Sequence, residues 1–145
     1  MRRIQRDSRY EEVVKALTSG EKPIFKDIWR VLLFASMLGH KAGEKAEIQN
    51  SDSGKAFPES YLGNCPSWPG ILYLLGLSET ESAEILRSDT EEQDKLIDIF
   101  EQHATAGLEK LDLAIKTFDR PLDAVVHLLS EDPESSETAV DFSGI

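Results

Sequence analysis

An apolar stripe with helical spacing dominates the second half of the chain. It follows the capping pattern Thr90-Glu91-Glu92-Gln93, and its members are Leu96, Ile97, Phe100, His103, Ala104, Gly107, Leu108, Leu111, Ala114, Ile115 and Phe118. A period of ~3.6 residues predicts one long amphipathic helix with a single buried face. Glycine in its middle costs about 1 kcal/mol against alanine, so we expect a neighbouring backbone to approach Gly107 closely.

A second, more hydrophobic segment between Pro23 and Gly39 supplies a partner for this helix. Its apolar residues cover most sides of a helix: Ile24, Phe25, Ile28, Trp29, Val31, Leu32, Leu33, Phe34, Ala35, Met37 and Leu38. A helix that is apolar on most sides normally lies at the centre of a bundle. The two segments therefore predict a pair of central helices, with Gly39 ending the first of them and a mobile, partly basic loop following.

Shorter helical patterns complete an all-α prediction. They cover about 9–19 and 68–77, and a stretch that follows the capping pattern at Ser78 and ends near Arg87. A last helix is predicted from the spacing of Leu122, Val125, Val126 and Leu129. Turn residues and prolines leave 46–67 irregular, with an optional short strand at 46–48. We expect a compact bundle of five to six helices, possibly with one short strand pair. The expected layout is a basic N-terminal arm at 1–8, one helical domain at 9–130 and an acidic, disordered tail at 131–145.

Charge is distributed unevenly along this acidic chain, whose net charge is -11. Residues 1–55 hold 11 Lys and Arg against 8 Asp and Glu, whereas residues 56–145 hold 5 against 19. Overall repulsion from nucleic acid follows, although a local basic face remains able to bind phosphates. The candidate nucleic-acid-binding residues are Arg2, Arg3, Arg6, Arg9, Lys41 and Lys45. The alternative for the arginines is a frayed, solvated terminus.

The residues carry no recognisable reaction chemistry. The sequence contains no His-Glu-x-x-His, Cys-x-x-Cys or Gly-x-Ser-x-Gly motif, so no catalytic, metal-binding or cofactor-binding residue is predicted, and no cofactor. Asp98, Glu101, Glu109 and Asp112 are interpreted as a solvated helix face, with a nuclease site as the alternative. Cys65 is the single cysteine, which favours a reducing, cytoplasmic location. No apolar run approaches the ~20 residues of a membrane span.

Two segments together resemble a known family. They are 25–39, which reads FKDIWRVLLFASMLG and is followed by Gly43, and 99–111, which reads IFEQHATAGLEKL. The chain is similar in both to the DNA phosphorothioation-associated (dnd system-associated) protein 4 family. The resemblance covers about 7–118, and the residues after 118 are expected to be peculiar to this chain. Thr105 and Ala106 depart from the family's usual Ala-Asn-Gly-Gly-Leu pattern.

The resemblance implies a small bacterial protein of a defence island that places sulfur in the DNA backbone or acts on DNA lacking it. We expect a non-catalytic accessory protein that binds other proteins of that antiphage or DNA-modification system, with no membrane association. Val140, Phe142 and Ile145 are its predicted docking residues. The alternatives are a DNA-binding accessory subunit that uses the basic N-terminal half, an unrecognised nuclease subunit, and acidic mimicry of DNA. The sequence leaves the formation of homo-oligomers open.

Overall fold

The computed structural model describes residues 1–131, and helices make up most of that range. The α-helices are α1 (Glu11–Thr18), α2 (Ile28–Ala42), α3 (Trp68–Thr80), α4 (Thr90–Thr117) and α5 (Pro121–Ser130). Short 3-10 segments lie at Ser8–Tyr10, Ser53–Lys55, Glu59–Asn64 and Ala83–Leu86. The predicted all-α bundle is confirmed. The predicted tail beyond Glu131, with Val140, Phe142 and Ile145, lies outside the described residues.

Helices α2 and α4 cross in antiparallel fashion through two glycines. A Cβ atom added to Gly107 of α4 would lie 1.8 Å from the Ala35 carbonyl oxygen of α2. One turn away, a Cβ atom on Gly39 of α2 would lie 2.2 Å from the His103 carbonyl oxygen. The expected backbone approach at Gly107 is confirmed, and Gly39 takes part in the same contact.

The hydrophobic core surrounds α4, against which α1, α3 and α5 all pack. Its apolar stripe is buried as expected, and the ring of Trp68 from α3 meets Phe100 edge to face at 4.9 Å between centroids. The indole nitrogen of Trp68 donates to a carboxylate oxygen of Glu59 at 2.7 Å, so this buried polar group is satisfied. Residues fully buried around α4 include Leu17, Leu32, Leu62, Leu72, Ile85, Leu96, Ile97, Leu108 and Leu111.

Several helix ends differ from the sequence prediction because tertiary packing overrides local signals. Gly39 does not end α2, which continues to Ala42 and stops at Gly43, a left-handed residue with φ of 68°. Ser78 does not begin a helix either. It lies inside α3, which ends at Thr80 and is followed by Glu81 with φ of 53°, and Ser82 caps the following 3-10 turn instead.

The N-terminal segment is packed against the body of the protein. Ile4 is fully buried and pairs with Phe57 in an isolated antiparallel bridge, and Asp7 pairs with Ser51 in a second one. These single bridges take the place of the optional strand pair. No strand forms at 46–48, where the Ala46 amide instead donates to the Gln102 carbonyl of α4 at 3.0 Å.

Within residues 1–131, no helix combines the length and the apolar character that crossing a bilayer requires.

The helix crossing predicts a large effect of one methyl group. Gly107→Ala is expected to lower the free energy of unfolding by about 3 kcal/mol or more, because the Ala35 backbone has to move. Gly70→Ala in α3 is the matched control, since its new methyl group would meet no atom within 4 Å. We expect that control to keep or raise stability by up to about 1 kcal/mol. Urea denaturation measures both, and a Gly107→Ala variant as stable as the wild type would contradict the crossing.

Candidate functional site

Arg2 is bound to acidic residues of α4. Its guanidinium donates to both carboxylate oxygens of Glu101, at 2.7 and 2.9 Å, and also contacts Asp98. The backbone amides of Arg2 and Gln5 add hydrogen bonds to Asp94 and Glu101 at 2.9 and 2.7 Å. The Glu101 side chain is buried, so this ion pair anchors the N-terminal segment on the bundle.

Arg9 and Asp7 form a second anchor. The Asp7 side chain is fully buried and accepts hydrogen bonds from the Arg9 guanidinium, the Arg9 amide and the Gln49 amide, at 2.8 to 3.1 Å. Burial acts to raise the pKa of Asp7, but these hydrogen bonds outweigh it and hold the pKa below its ordinary value. Asp7 therefore joins the N-terminal segment to the irregular region at 46–57.

Lys41 lies in the last turn of α2, and Lys45 follows the end of that helix. Lys41 Nζ donates to the Glu131 carbonyl oxygen at 2.7 Å, and Lys45 pairs with Glu79. Lys41 follows the first residue of α2 by 13 positions, which corresponds to ~20 Å along the helix. Of the six candidate nucleic-acid-binding residues, the two lysines therefore share no ion-pair or hydrogen-bond partner with the four arginines within residues 1–131.

Two of those candidates, Arg3 and Arg6, instead line a groove with residues that the sequence reasoning did not single out. We call it the basic groove; its volume is about 550 Å³ and its lining includes Arg3, Arg6, Lys26, Trp29, Lys55 and Tyr61. Arg3 and Arg6 link the N-terminal segment to the segment at 55–56 in the lining of the groove, because their guanidinium groups donate to the Ala56 and Lys55 carbonyl oxygens at 2.6 and 2.9 Å.

Charge in the basic groove is mostly positive. Four cationic side chains line it against one carboxylate, that of Asp27. Asp27 pairs with Arg30 at 3.1 Å, while Arg6 and Lys55 share Glu11 at 2.7 and 3.3 Å. Nothing in the local sequence signals this site, because Lys26, Lys55 and Tyr61 come from separate segments. The one available signal is Ile4, a lone apolar residue among arginines that predicts burial of its segment.

Helix α5 presents a different kind of surface. Leu122, Val126 and Leu129 are 55%, 54% and 59% exposed, and their spacing of four and three residues places them along one side of the helix. Leu113 of α4 is exposed as well and lines a shallow groove beside His127. We call Leu122, Val126 and Leu129 the α5 stripe.

A buried histidine links α4 to the turn after α2. The carbonyl oxygen of Glu44 only accepts hydrogen bonds, so His103 Nδ1, 3.1 Å away, is the donor. Burial lowers the pKa of His103, although this hydrogen bond acts in the opposite direction. Among the described residues, no three His, Cys, Asp or Glu side chains are grouped so as to hold a metal ion.

These features define a class of protein: a small helical bundle that carries a cationic groove and an exposed apolar helix side on its surface. The model of the DNA sulphur modification system-associated protein 4 family matches residues 3–144, and the chain belongs to that family. The suspected family is thus confirmed, and the match extends past 118, so the expectation that later residues are peculiar to this chain is wrong. No curated protein and no solved structure matches the chain.

The buried ion pair predicts a structural effect of the first arginine. Arg2→Gln is expected to lower the free energy of unfolding by about 2 kcal/mol or more, because it leaves the buried Glu101 carboxylate without a cation. Lys41→Gln is the control, since Lys41 is exposed and lies on another part of the surface. Chemical denaturation of the two variants tests this, and equal stabilities would show that the pair contributes nothing.

Burial of His103 predicts a dependence of stability on pH. Its pKa is below 6.5 when folded, so the unfolded chain binds more protons at mildly acidic pH. Stability from this group is complete above pH ~6.5 and decreases as the pH falls through the folded pKa. Urea titrations between pH 7.5 and 5.5 are expected to show a shallower decline for His103→Gln than for the wild type. His127→Gln controls for the loss of one imidazole, and parallel curves for all three proteins would refute the assignment.

Proposed function

We propose that the protein is a non-catalytic accessory component of a bacterial DNA sulphur modification system that binds a partner protein of that system through the α5 stripe. Family membership supports the link to the system. The lone Cys65 fits a cytoplasmic location, where thiols stay reduced. The observation that carries the proposal is the exposure of three aliphatic side chains on one side of α5.

The α5 stripe suits recognition by a protein groove. A helix that binds in the groove of a partner uses apolar side chains spaced by three and four residues. Burying a fully exposed side chain of this kind contributes about 1.5 to 3 kcal/mol, and these three are a little over half exposed, so each can contribute about half of that to a contact. The remainder of α5 is already committed to the fold, because Ala124, Val125 and Leu128 are buried.

Acidic side chains of α4 favour a binding role over a nuclease role. Asp98 and Glu101 are two of the four carboxylates considered for metal chemistry, and both are held by the Arg2 guanidinium. The guanidinium already balances the negative charge of these two carboxylates, which a metal ion would need for binding. Val140, Phe142 and Ile145 stay predicted docking residues, with a partner of the same system as their target.

Affinity purification of the tagged full-length chain from its native host tests the proposal. We expect a second protein of the sulphur modification system, identified by mass spectrometry, to be recovered with it. The triple variant Leu122→Glu, Val126→Glu and Leu129→Glu is expected to lower the affinity at least 100-fold, since 1.4 kcal/mol corresponds to tenfold. Leu74→Glu is the matched control, because Leu74 is 68% exposed on α3.

Two results would contradict this function. One is recovery of the chain alone from a host that expresses the whole system. The other is an equal effect of the Leu74→Glu control and the triple variant on a purified partner. A chain truncated after Glu131 tests the predicted docking residues separately, with weaker capture of the same partner as the expected result.

A further inference from the structure

We propose that the basic groove binds single-stranded DNA, with backbone phosphates held by Arg3, Lys26 and Lys55 and one base stacked on Tyr61. This site is independent of the α5 stripe, with which it shares no residue. Its volume of about 550 Å³ falls within the ~300–1,000 Å³ of sites that take small organic groups.

The cations of the groove are placed for an anionic ligand. Among residues 1–131, no carboxylate oxygen lies within 4 Å of the charged nitrogen atoms of Arg3 or Lys26. Arg3 uses one nitrogen on the Ala56 carbonyl, which fixes the side chain and leaves its other donors for phosphate. Of the cations in the described range that form no ion pair with a carboxylate, Arg3 and Lys26 are the ones that line the basic groove.

Tyr61 gives the groove a platform for a base. It is 58% exposed and stacks on Phe57, with ring centroids 5.8 Å apart and ring planes 11° from parallel. Phe57 and the neighbouring Leu62 are buried, so the platform rests on the core. One side of the Tyr61 ring thus faces Phe57 while much of the residue faces solvent. Flat, exposed aromatic rings beside cations are how proteins hold unpaired nucleotides without sequence preference.

The combination of groups selects this ligand over two others. An acidic peptide would use the cations, but its acidic side chains carry no ring for Tyr61, whereas every nucleotide carries both a phosphate and a planar base. A duplex offers phosphates but keeps its bases stacked inside, where a tyrosine at the surface does not reach them. An unpaired strand supplies both the charges and an accessible base.

Fluorescence polarisation of a labelled oligothymidylate twelve nucleotides long, titrated with the full-length chain, tests this site. We expect saturable binding at low salt, with log K falling against log salt at a slope of about -2 for three phosphates, since each contributes ~0.7 on single strands. A duplex of equal length and thymidine monophosphate are expected to bind at least tenfold more weakly.

Paired variants locate the site. Tyr61→Ala is expected to weaken binding about tenfold, while Tyr73→Ala, an exposed tyrosine of α3, leaves it unchanged. Lys26→Glu is expected to weaken binding and lower the salt slope, while Lys116→Glu on α4 makes the same charge change outside the groove and has little effect.

Four outcomes would overturn the proposal that the groove binds nucleic acid as an unpaired strand, and a fifth would change the ligand. The four are unchanged polarisation at low salt, equal losses for Lys26→Glu and Lys116→Glu, displacement of the strand by an acidic peptide at equal concentration, and equal affinity for duplex. Equal affinity for thymidine monophosphate would reject the strand and assign the groove to a free nucleotide. None of these results depends on the α5 stripe, so this site and the proposed partner contact fail or hold separately.

Discussion

The contact between the backbones of α2 and α4 brings together the two helices around which the other α-helices pack. Gly107 and Gly39 remove the side chains that would separate the helices, and each faces a carbonyl group of the opposite helix. Close approach over one turn places the apolar stripe of α4 against α2, and α1, α3 and α5 then pack on α4. The small cost of a glycine inside α4 is offset by this burial.

A second constraint is polar and joins the segments that have no regular structure. Glu101 and Asp7 are buried carboxylates, and their partners come from the N-terminal segment and from the region near Gln49. A buried carboxylate that is fully hydrogen-bonded fixes the geometry around it, because breaking any partner leaves charge without compensation. Arg2 and Arg9 thus serve the fold, and the same anchoring holds Arg3 at the basic groove.

Periodicity predicted the central helices because their apolar spacing is local information. It failed at Gly39, where glycine was interpreted as a helix end although its place is set by the approach of His103. The capping pattern at Ser78 also gave a wrong helix start, because it lies inside α3. The basic groove was predictable only in part, through Arg3 and Arg6. Its remaining members depend on the pairing of Ile4 with Phe57, a contact between distant segments that leaves no periodic pattern.

Net charge is a poor guide to what such a chain binds, because screening limits each charge to its surroundings. At physiological salt the Debye length is about 8 Å, so a ligand in the basic groove responds mainly to the groups lining it. Those are four cations, two of which are paired with the nearby Glu11, and one carboxylate already paired with Arg30. Much of the chain's negative charge is carried by residues 56–145, which contribute only Ala56, Phe57 and Tyr61 to the groove. An acidic protein can therefore have weak non-specific affinity for nucleic acid while the charge around a groove of this kind stays locally positive.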